Sequence, residues 1–347
     1  MKPSAIDLFA GAGGATRGLR DAGFGVLGAI EFDVNAAQTY RLNHPQTHLR
    51  QADIRTISAS GFRRSLGLEP RELDLLKTCP PCQGFSTLAS GKGLTDEDRN
   101  DLVFHTVRFV RAFMPRAVLL ENVPGLARDT RLGSIRKSLS SLGYTSDLYQ
   151  FEASHFGVPQ RRKRLIMIAL RGRRSKLPID IDSIVPDCIS RTPAEVAFRK
   201  VATSKRSEDP LRKHRSHSAK VGARIAAIPV GGDRFDLPEE HQLDCHKKMA
   251  RRGATASYGR IKLAEPAPTM TTRCTTPACG SFVHPTENRG ITLREAASIQ
   301  TFPTNYDFIG DYGSIERQIG NAVPVRMAKT LGIAIRRLLE GNMGDAA

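Results

Sequence analysis

The run KTCPPCQGFS, residues 77–86, carries two cysteines, Cys79 and Cys82, with Pro80 and Pro81 between them. A pair at this spacing can serve as a redox disulfide, as half of a zinc site, or as a nucleophile beside a bystander thiol. Zinc needs two further ligands. Neither Cys274 with Cys279 nor Cys245 beside His246 has the spacing of a zinc ribbon or finger. The six cysteines are scattered along a chain that reads as cytosolic, where thiols stay reduced, and this argues against a disulfide. A cysteine at a strand end, before a polar loop and near arginines, is placed to be a low-pKa thiolate. Cys82 fits that description. Cys79 reads as a packed small hydrophobe.

Acids and glycines at other turns suggest what such a nucleophile would work with. DLFAGAGGATRG, residues 7–18, has Gly11, Gly13, Gly14 and Gly18 after an apolar run, a turn that lets backbone approach a nucleotide-like cofactor. The dinucleotide fingerprint would need glycine at position 16, where Thr16 stands, and this counts against NAD. Glu31 is placed to accept hydrogen bonds from a ribose, and Asp53 from an adenine amine. Taken alone, a tight turn with solvated acids would explain the same residues. Glu121, in LLENVPG, ends an apolar run just before Pro124, where burial would hold its carboxyl protonated or paired. In GVPQRRKRLIMIA, Gln160, Arg162 and Arg164 alternate into an apolar stretch, so the two arginines can share one strand face.

The elements that must position these groups alternate. Strands are expected over 5–9, 24–32, 47–54, 72–78, 116–123 and 164–170, with helices over 16–22, 35–44, 101–114 and 132–144 between them. That rhythm implies an α/β fold with a doubly wound, Rossmann-like sheet. Ligands of such sheets sit beyond the carboxyl ends of the strands, so one crevice can hold Glu31, Asp53, Cys82 and Glu121. From about residue 172 the rhythm gives way to short segments, Pro and Gly punctuation and basic clusters. The expectation is a smaller, β-rich second domain over 172–290, after a first domain over 1–171. Helical patterns at 292–302 and 325–341 suggest a return segment, 291–347, packed on the first domain.

Charge points to the partner. The net charge is +17, of which residues 151–260 carry +12 and the remainder of the chain +5. The clusters QRRKRL and RGRRSK are dominated by arginine, which suits phosphate and guanine contacts, so the expected partner is nucleic acid. No apolar run approaches the roughly 20 residues that span a bilayer. The N-terminus has no secretory pattern, and a cytoplasmic location is expected.

Taken in order, these motifs resemble the DNA (cytosine-5) methyltransferase family over nearly the whole chain outside 172–258. DLFAGAGGATRGLRDAGF resembles its cofactor loop, EFD and QADI its next two cofactor motifs, and PPCQGFS its catalytic loop. ENV resembles its acid motif and GVPQRRKR its Gln-x-Arg-x-Arg motif. EPAPTMTT, HPTENRGITLREAASIQTFP and QIGNAVPV resemble its late motifs. One departure is that Thr78 and Cys79 stand where the family usually has two small residues, often glycines; both are small, so a tolerated variant is expected. CQGFS favours DNA over the tRNA-methylating branch.

The resemblance implies a catalytic set of Cys82, Glu121, Arg162 and Arg164, and no metal. Cys82 would add to carbon 6 of a cytosine flipped from the duplex, with Glu121 at ring nitrogen 3 and the exocyclic amine. It implies S-adenosyl-L-methionine as cofactor, held by Phe9, Gly11, Gly13, Glu31, Asp53, Pro81, Leu102 and Asn321. It makes 172–290 the target-recognition domain and double-stranded DNA the substrate. Gln83, Ser86, Gln160, Arg212, Arg215, Arg251 and Arg252 are the candidate DNA contacts. A monomer is expected, with a cognate restriction endonuclease or defence-system proteins as further candidate partners. Two other classes compete: a catalytically silent DNA-binding protein on the same fold, and a nucleotide-dependent oxidoreductase using the cysteine pair.

Overall fold

The structure, a computed structural model, describes residues 2–81, 102–172, 191–206, 208–247 and 257–341. They form two compact units. The first combines Met1–Glu152, Lys163–Asp187 and Val325–Ala347; the second combines Ala153–Arg162 and Cys188–Pro324. These boundaries differ from those read in the sequence. Residues 153–162 and 291–324 belong to the second unit, and only the last helix, Val325–Gly341, falls with the first.

The first unit is built on a sheet of seven strands: β1 Ser4–Leu8, β2 Gly25–Glu31, β3 His48–Gln51, β4 Leu75–Thr78, β5 Ala117–Asn122, β6 Tyr144–Glu152 and β7 Lys163–Arg171. Their order is β3-β2-β1-β4-β5-β7-β6. The first five strands run parallel, and β7 is antiparallel to both β5 and β6. β1, β4 and β5 are interior strands buried on both faces, and the charged residues they carry, Asp7, Lys77 and Glu121, are paired. β6 was not anticipated. It is an edge strand whose sequence, YTSDLYQFE, has no long apolar run, and it pairs with β7 alone.

Helices α1 Gly14–Asp21, α2 Val34–Asn43, α3 Ala59–Ser65, α4 Leu102–Phe113 and α5 Thr130–Ser141 connect the strands. One sheet face carries Ile6, Leu8, Leu76, Val118 and Leu120, which join Phe62 of α3, Phe109 and Phe113 of α4 and Ile135 of α5 in the main core. The other face carries Asp7, to which Thr16 of α1 donates, and Thr16 in turn is bonded to Tyr40 of α2. Gly18 lets α1 lie against the last helix: an added Cβ would sit 2.3 Å from the Val325 carbonyl oxygen. No helix among the described residues is long and apolar enough to cross a membrane.

The second unit corrects the expectation of a β-rich domain. Its described residues contain helices Glu195–Ala202, Ala219–Ala226, Asp244–Lys247, Leu293–Ile299 and Tyr312–Asn321, short 3₁₀ turns and isolated bridges, and no strand. Buried arginines do much of what a sheet ladder would do in satisfying backbone carbonyls. Arg260 donates to the carbonyls of Ile225, Ile228, His284 and Glu287 and to Asn288 Oδ1. Arg294 pairs with Asp209 in the interior and donates to the Tyr306 carbonyl.

Candidate active site

Strand order sets where a ligand can bind. β2 and β4 lie on opposite sides of β1, so the chain direction reverses there, and the crevice of an open α/β sheet lies beyond the strand ends at such a switch point. The loops after β1 and β4 both leave from it, and the Cys79 amide donates to the Leu8 carbonyl beside them.

The loop after β1 turns sharply. Phe9, Gly11 and Gly13 all have left-handed backbone, with φ of 57°, 56° and 90°. Gly11 has open space where a Cβ would stand, and its amide donates to Glu31 Oε2 at 2.7 Å. Glu31 Oε1 accepts from the Asp33 amide at 2.8 Å. Burial pushes the Glu31 carboxyl up, against the amides of Asp33 and Gly11 that favour its charge. Phe32, next in the chain, is 70 % exposed, a large apolar ring at the end of β2 that the sequence reading passed over. Asp53 caps the turn after β3, and its carboxylate is gripped by Arg55 through Nε and Nη2, at 2.9 and 2.6 Å from Oδ2. The Arg55 guanidinium holds the Asp53 pKa below the usual carboxylate value. Leu102 begins α4 and packs against the main core, as Phe9 does.

The ends of β4, β5 and β7 bring three side chains together. Lys77 pairs in register with Leu119 and Thr78 with Leu120, so Cys79 falls opposite Glu121. Glu121 lies opposite Ile166 on the antiparallel β7, which puts Arg164, two residues away, on the same face. Arg164 Nε lies 2.8 Å from Glu121 Oε1, and the Cys79 thiol donates to Glu121 Oε2 at 2.7 Å. Glu121 is thus paired, as its apolar surroundings require, and Cys79 is a partner of the acid rather than a packed bystander. Burial and the Glu121 charge push the Cys79 thiol well up, so it carries its proton at neutral pH. Beneath them Lys77 Nζ meets Asp7 Oδ1 at 2.8 Å, both buried. Burial is the largest single influence on Lys77 and opposes its charge, but Asp7 and the neighbouring acidic groups of Cys79 and Glu121 together raise the lysine's pKa. Asn122, beside Glu121, donates to the Pro80 carbonyl at 3.1 Å and fixes the start of the cysteine loop. Pro81 ends this described stretch; Cys82, Gln83 and Ser86 lie outside the described residues, as do Arg251 and Arg252.

In the second unit, two residues expected at the chemistry or the DNA are otherwise engaged. Gln160 is fully buried; it donates to Gln300 Oε1 and accepts from the Met270 amide, both at 2.8 Å, so it is not placed to touch DNA. Arg162 is buried and donates from Nη1 to the carbonyls of Met270, at 2.8 Å, and Gly320, at 3.2 Å. β7 begins at Lys163, so Arg162 lies outside the strand on which the alternation was read. Both residues tie the Gln-x-Arg-x-Arg segment to the late motifs, where Gly320 lies so close to Thr271 that a Cβ would stand 2.1 Å from its carbonyl oxygen. Asn321, the last residue of its helix, is exposed. Arg212 donates from Nη2 to the carbonyls of Val201 and Ser204, closing the end of a helix. Arg215 is exposed, its guanidinium 5.1 Å from the centre of the Tyr312 ring.

Residues 4–337 match the model of the C-5 cytosine-specific DNA methylase family. The chain belongs to this family. It is 32% identical to the Type II methylase M.HgiDII of Herpetosiphon aurantiacus, across 98% of this chain and 97% of that one. It is 35% identical to the Type II methyltransferase M.PspPI of a Psychrobacter species, across 99% of this chain and 81% of the other. The crystal structure of a DNA modification methyltransferase encoded within an E. coli prophage superposes with a TM-score of 0.70 at 25% identity, covering 97% of this chain and 99% of that one. The protein is a DNA (cytosine-5) methyltransferase, an enzyme, with the mixed α/β fold of its structural neighbours.

Proposed function

We propose that the chain methylates cytosine within a short DNA sequence, that its methyl donor is S-adenosylmethionine, and that the two meet beyond the ends of β1, β4 and β5. The observation that carries this reading is the convergence of Glu121, Arg164 and the base of the cysteine loop at the switch point, beside a glycine turn with open space at Gly11.

The residues after β1, β2 and β3 suit that donor. Gly11 leaves room for close backbone approach. Glu31 is held by two amides and keeps lone pairs for ribose hydroxyls, Phe32 offers a ring face to a base, and Asp53 is an acceptor for an amine. Phe9, Gly13, Pro81, Leu102 and Asn321 complete the set by family resemblance.

Cys82 is the nucleophile. Its thiolate adds to carbon 6 of the flipped base, and carbon 5 becomes enamine-like. Glu121 bonds ring nitrogen 3 and the exocyclic amine as charge develops, and Arg164 holds its carboxylate in place. S-adenosylmethionine supplies the methyl group that carbon 5 takes up. Loss of the carbon 5 proton to water and elimination of Cys82 as a thiolate release the methylated base, with S-adenosylhomocysteine as the other product. Residues 172–290 select the sequence through their basic surface. The enzyme acts as a cytoplasmic monomer on double-stranded DNA, paired with a restriction endonuclease of the same specificity, as the Type II names of its relatives suggest.

The deciding test is bisulfite sequencing of unmethylated DNA treated with the purified chain and S-adenosylmethionine. Methylcytosine at one short motif, lost in Cys82→Ser, is the expected result. No methylation by the wild type would overturn the reading. Calorimetry adds a second check: Glu31→Ala and Asp53→Ala should weaken cofactor binding more than DNA binding, and unchanged cofactor affinity in both would remove the cofactor assignment.

A further inference from the structure

Thr78 and Cys79 are the two small residues before Pro80, and the contact between Cys79 and Glu121 needs its own explanation. Both oxygens of the Glu121 carboxylate are engaged from within the first unit. Arg164 Nε approaches Oε1 at 2.8 Å, and the Cys79 thiol donates to Oε2 at 2.7 Å. Register makes the second contact unavoidable. Cys79 follows Thr78, which pairs with Leu120, so the two side chains face each other on neighbouring parallel strands. The Cys79 backbone is pinned as well, by its amide on the Leu8 carbonyl. Lys77, two residues earlier on the same face, is locked to Asp7 and keeps that part of the strand from shifting. Asn122 holds the Pro80 carbonyl from the other side.

We infer that Cys79 is a positioning residue for the reaction: its thiol is a fixed hydrogen-bond donor that, with Arg164, sets the orientation of the Glu121 carboxyl plane. The inference rests on the functional reading above, in which Glu121 contacts the cytosine. A carboxylate held by one cation alone can still rotate about its terminal torsion, which is broad. A second donor on the other oxygen stops that rotation and selects the oxygen that meets the base. The donor must stay protonated to do this. Cys79 does, because burial and the neighbouring carboxylate both disfavour its thiolate. The same property makes Cys79 a poor nucleophile, which separates its role from that of Cys82. The two cysteines of the motif then act in different ways on one base, one by attack and one by holding the acid.

The test uses the full chain, unmethylated plasmid DNA and S-adenosylmethionine labelled in its methyl group, under single-turnover conditions. Cys79→Ala should slow single-turnover methyl transfer by about tenfold, with KM for DNA and cofactor, measured separately at steady state, unchanged. Cys79→Ser keeps a donor and should stay within about threefold of the wild type. In a Glu121→Gln background, Cys79→Ala should bring little further loss, because the carboxylate it orients is gone. A wild-type rate in Cys79→Ala, or equal losses in the Ala and Ser variants, overturns the assignment. So does a Cys79→Ala loss that appears only in KM. A second measurement needs no turnover. Alkylation of Cys79 by iodoacetamide, followed by peptide mass spectrometry, should quicken in Glu121→Gln, and an unchanged rate means that the thiol is not bonded to the acid. A wild-type chain that transfers no methyl group overturns the functional reading instead, and the alkylation arm then still decides the contact.

Discussion

Glu121 of β5 and Arg164 of β7 form an ion pair 2.8 Å long, with only 5% and 11% of their side chains exposed. The pair spans antiparallel strands, so it ties the acid to a strand that leads directly from the Gln-x-Arg-x-Arg segment. Removing the arginine leaves a buried carboxylate without its cation and frees the side chain to turn. Arg164→Met should reduce single-turnover methyl transfer by about ten- to a hundredfold, and Glu121→Gln by about 10²–10⁴-fold. Arg164→Lys should recover little, since an ammonium does not reproduce the planar Nε contact. Labelled methyl transfer measures each. Near wild-type rates in Arg164→Met would show that the pair is structural only.

Asp7 and Lys77 form a second buried pair in the first unit, and their role is to hold β1 against β4 at the switch point. Asp7 also accepts from Thr16, so the pair reaches into α1. Lys77→Met should destabilise the chain by about 3–5 kcal/mol, because it strands a buried carboxylate. The double variant Asp7→Asn with Lys77→Met should recover much of that loss. Denaturant midpoints with an unchanged slope measure both. A single variant as stable as the wild type would mean that Asp7 is satisfied without the lysine.

Some of this was legible in the sequence and some was not, for identifiable physical reasons. The glycine turn and Glu31 could be placed because the largely apolar runs AIDLF and FGVLGAIEF mark β1 and β2, whereas β3 is a short edge strand, HLRQ, and Asp53 was placed only by its position in QADI. The contact between Cys79 and Glu121 could not, because it depends on the register of β4 on β5, which the short segments LLKT and AVLLEN do not fix on their own. Arg162 and Gln160 misled because alternation was extended past the start of β7, into residues whose partners are Met270, Gln300 and Gly320. The second unit was read as β-rich from its Pro and Gly punctuation. Its carbonyls are instead met by arginines such as Arg260, and sequence spacing does not distinguish a buried arginine from a DNA-facing one.

His44 gives the fold a predictable response to acid. It is buried at the end of α2, with Nε2 3.1 Å from the Gly13 carbonyl oxygen, and burial together with Arg20 lowers its pKa to about 4 from 6.5. The unfolded chain therefore binds more protons between those values. Stability should be constant above pH 6.5 and fall as pH drops toward 4, by up to about 3 kcal/mol from this group. His44→Gln keeps a donor for Gly13 and removes the titration, so its stability profile should be flatter across that window. Parallel profiles for the two proteins would exclude His44 as the source.

The basic second unit offers a test that separates two arginines of one cluster. Arg212 and Arg215 lie three residues apart in LRKHR and read alike in the sequence. In the structure Arg212 is spent on the carbonyls of Val201 and Ser204, whereas Arg215 is exposed against the face of Tyr312. A solvent-facing guanidinium can meet a phosphate; one that caps a helix end would have to abandon its carbonyls to do so. Arg215→Ala should weaken DNA binding at every sequence and reduce the slope of log K against log salt by roughly one unit. Arg212→Ala should leave that slope unchanged and instead lower stability by about 1 kcal/mol, the scale of a lost helix-end contact. Fluorescence titrations at several salt concentrations and a denaturant melt distinguish the two. An Arg215→Ala variant with an unaltered slope would mean that this cluster is solvated surface and that the DNA backbone is held elsewhere in the unit.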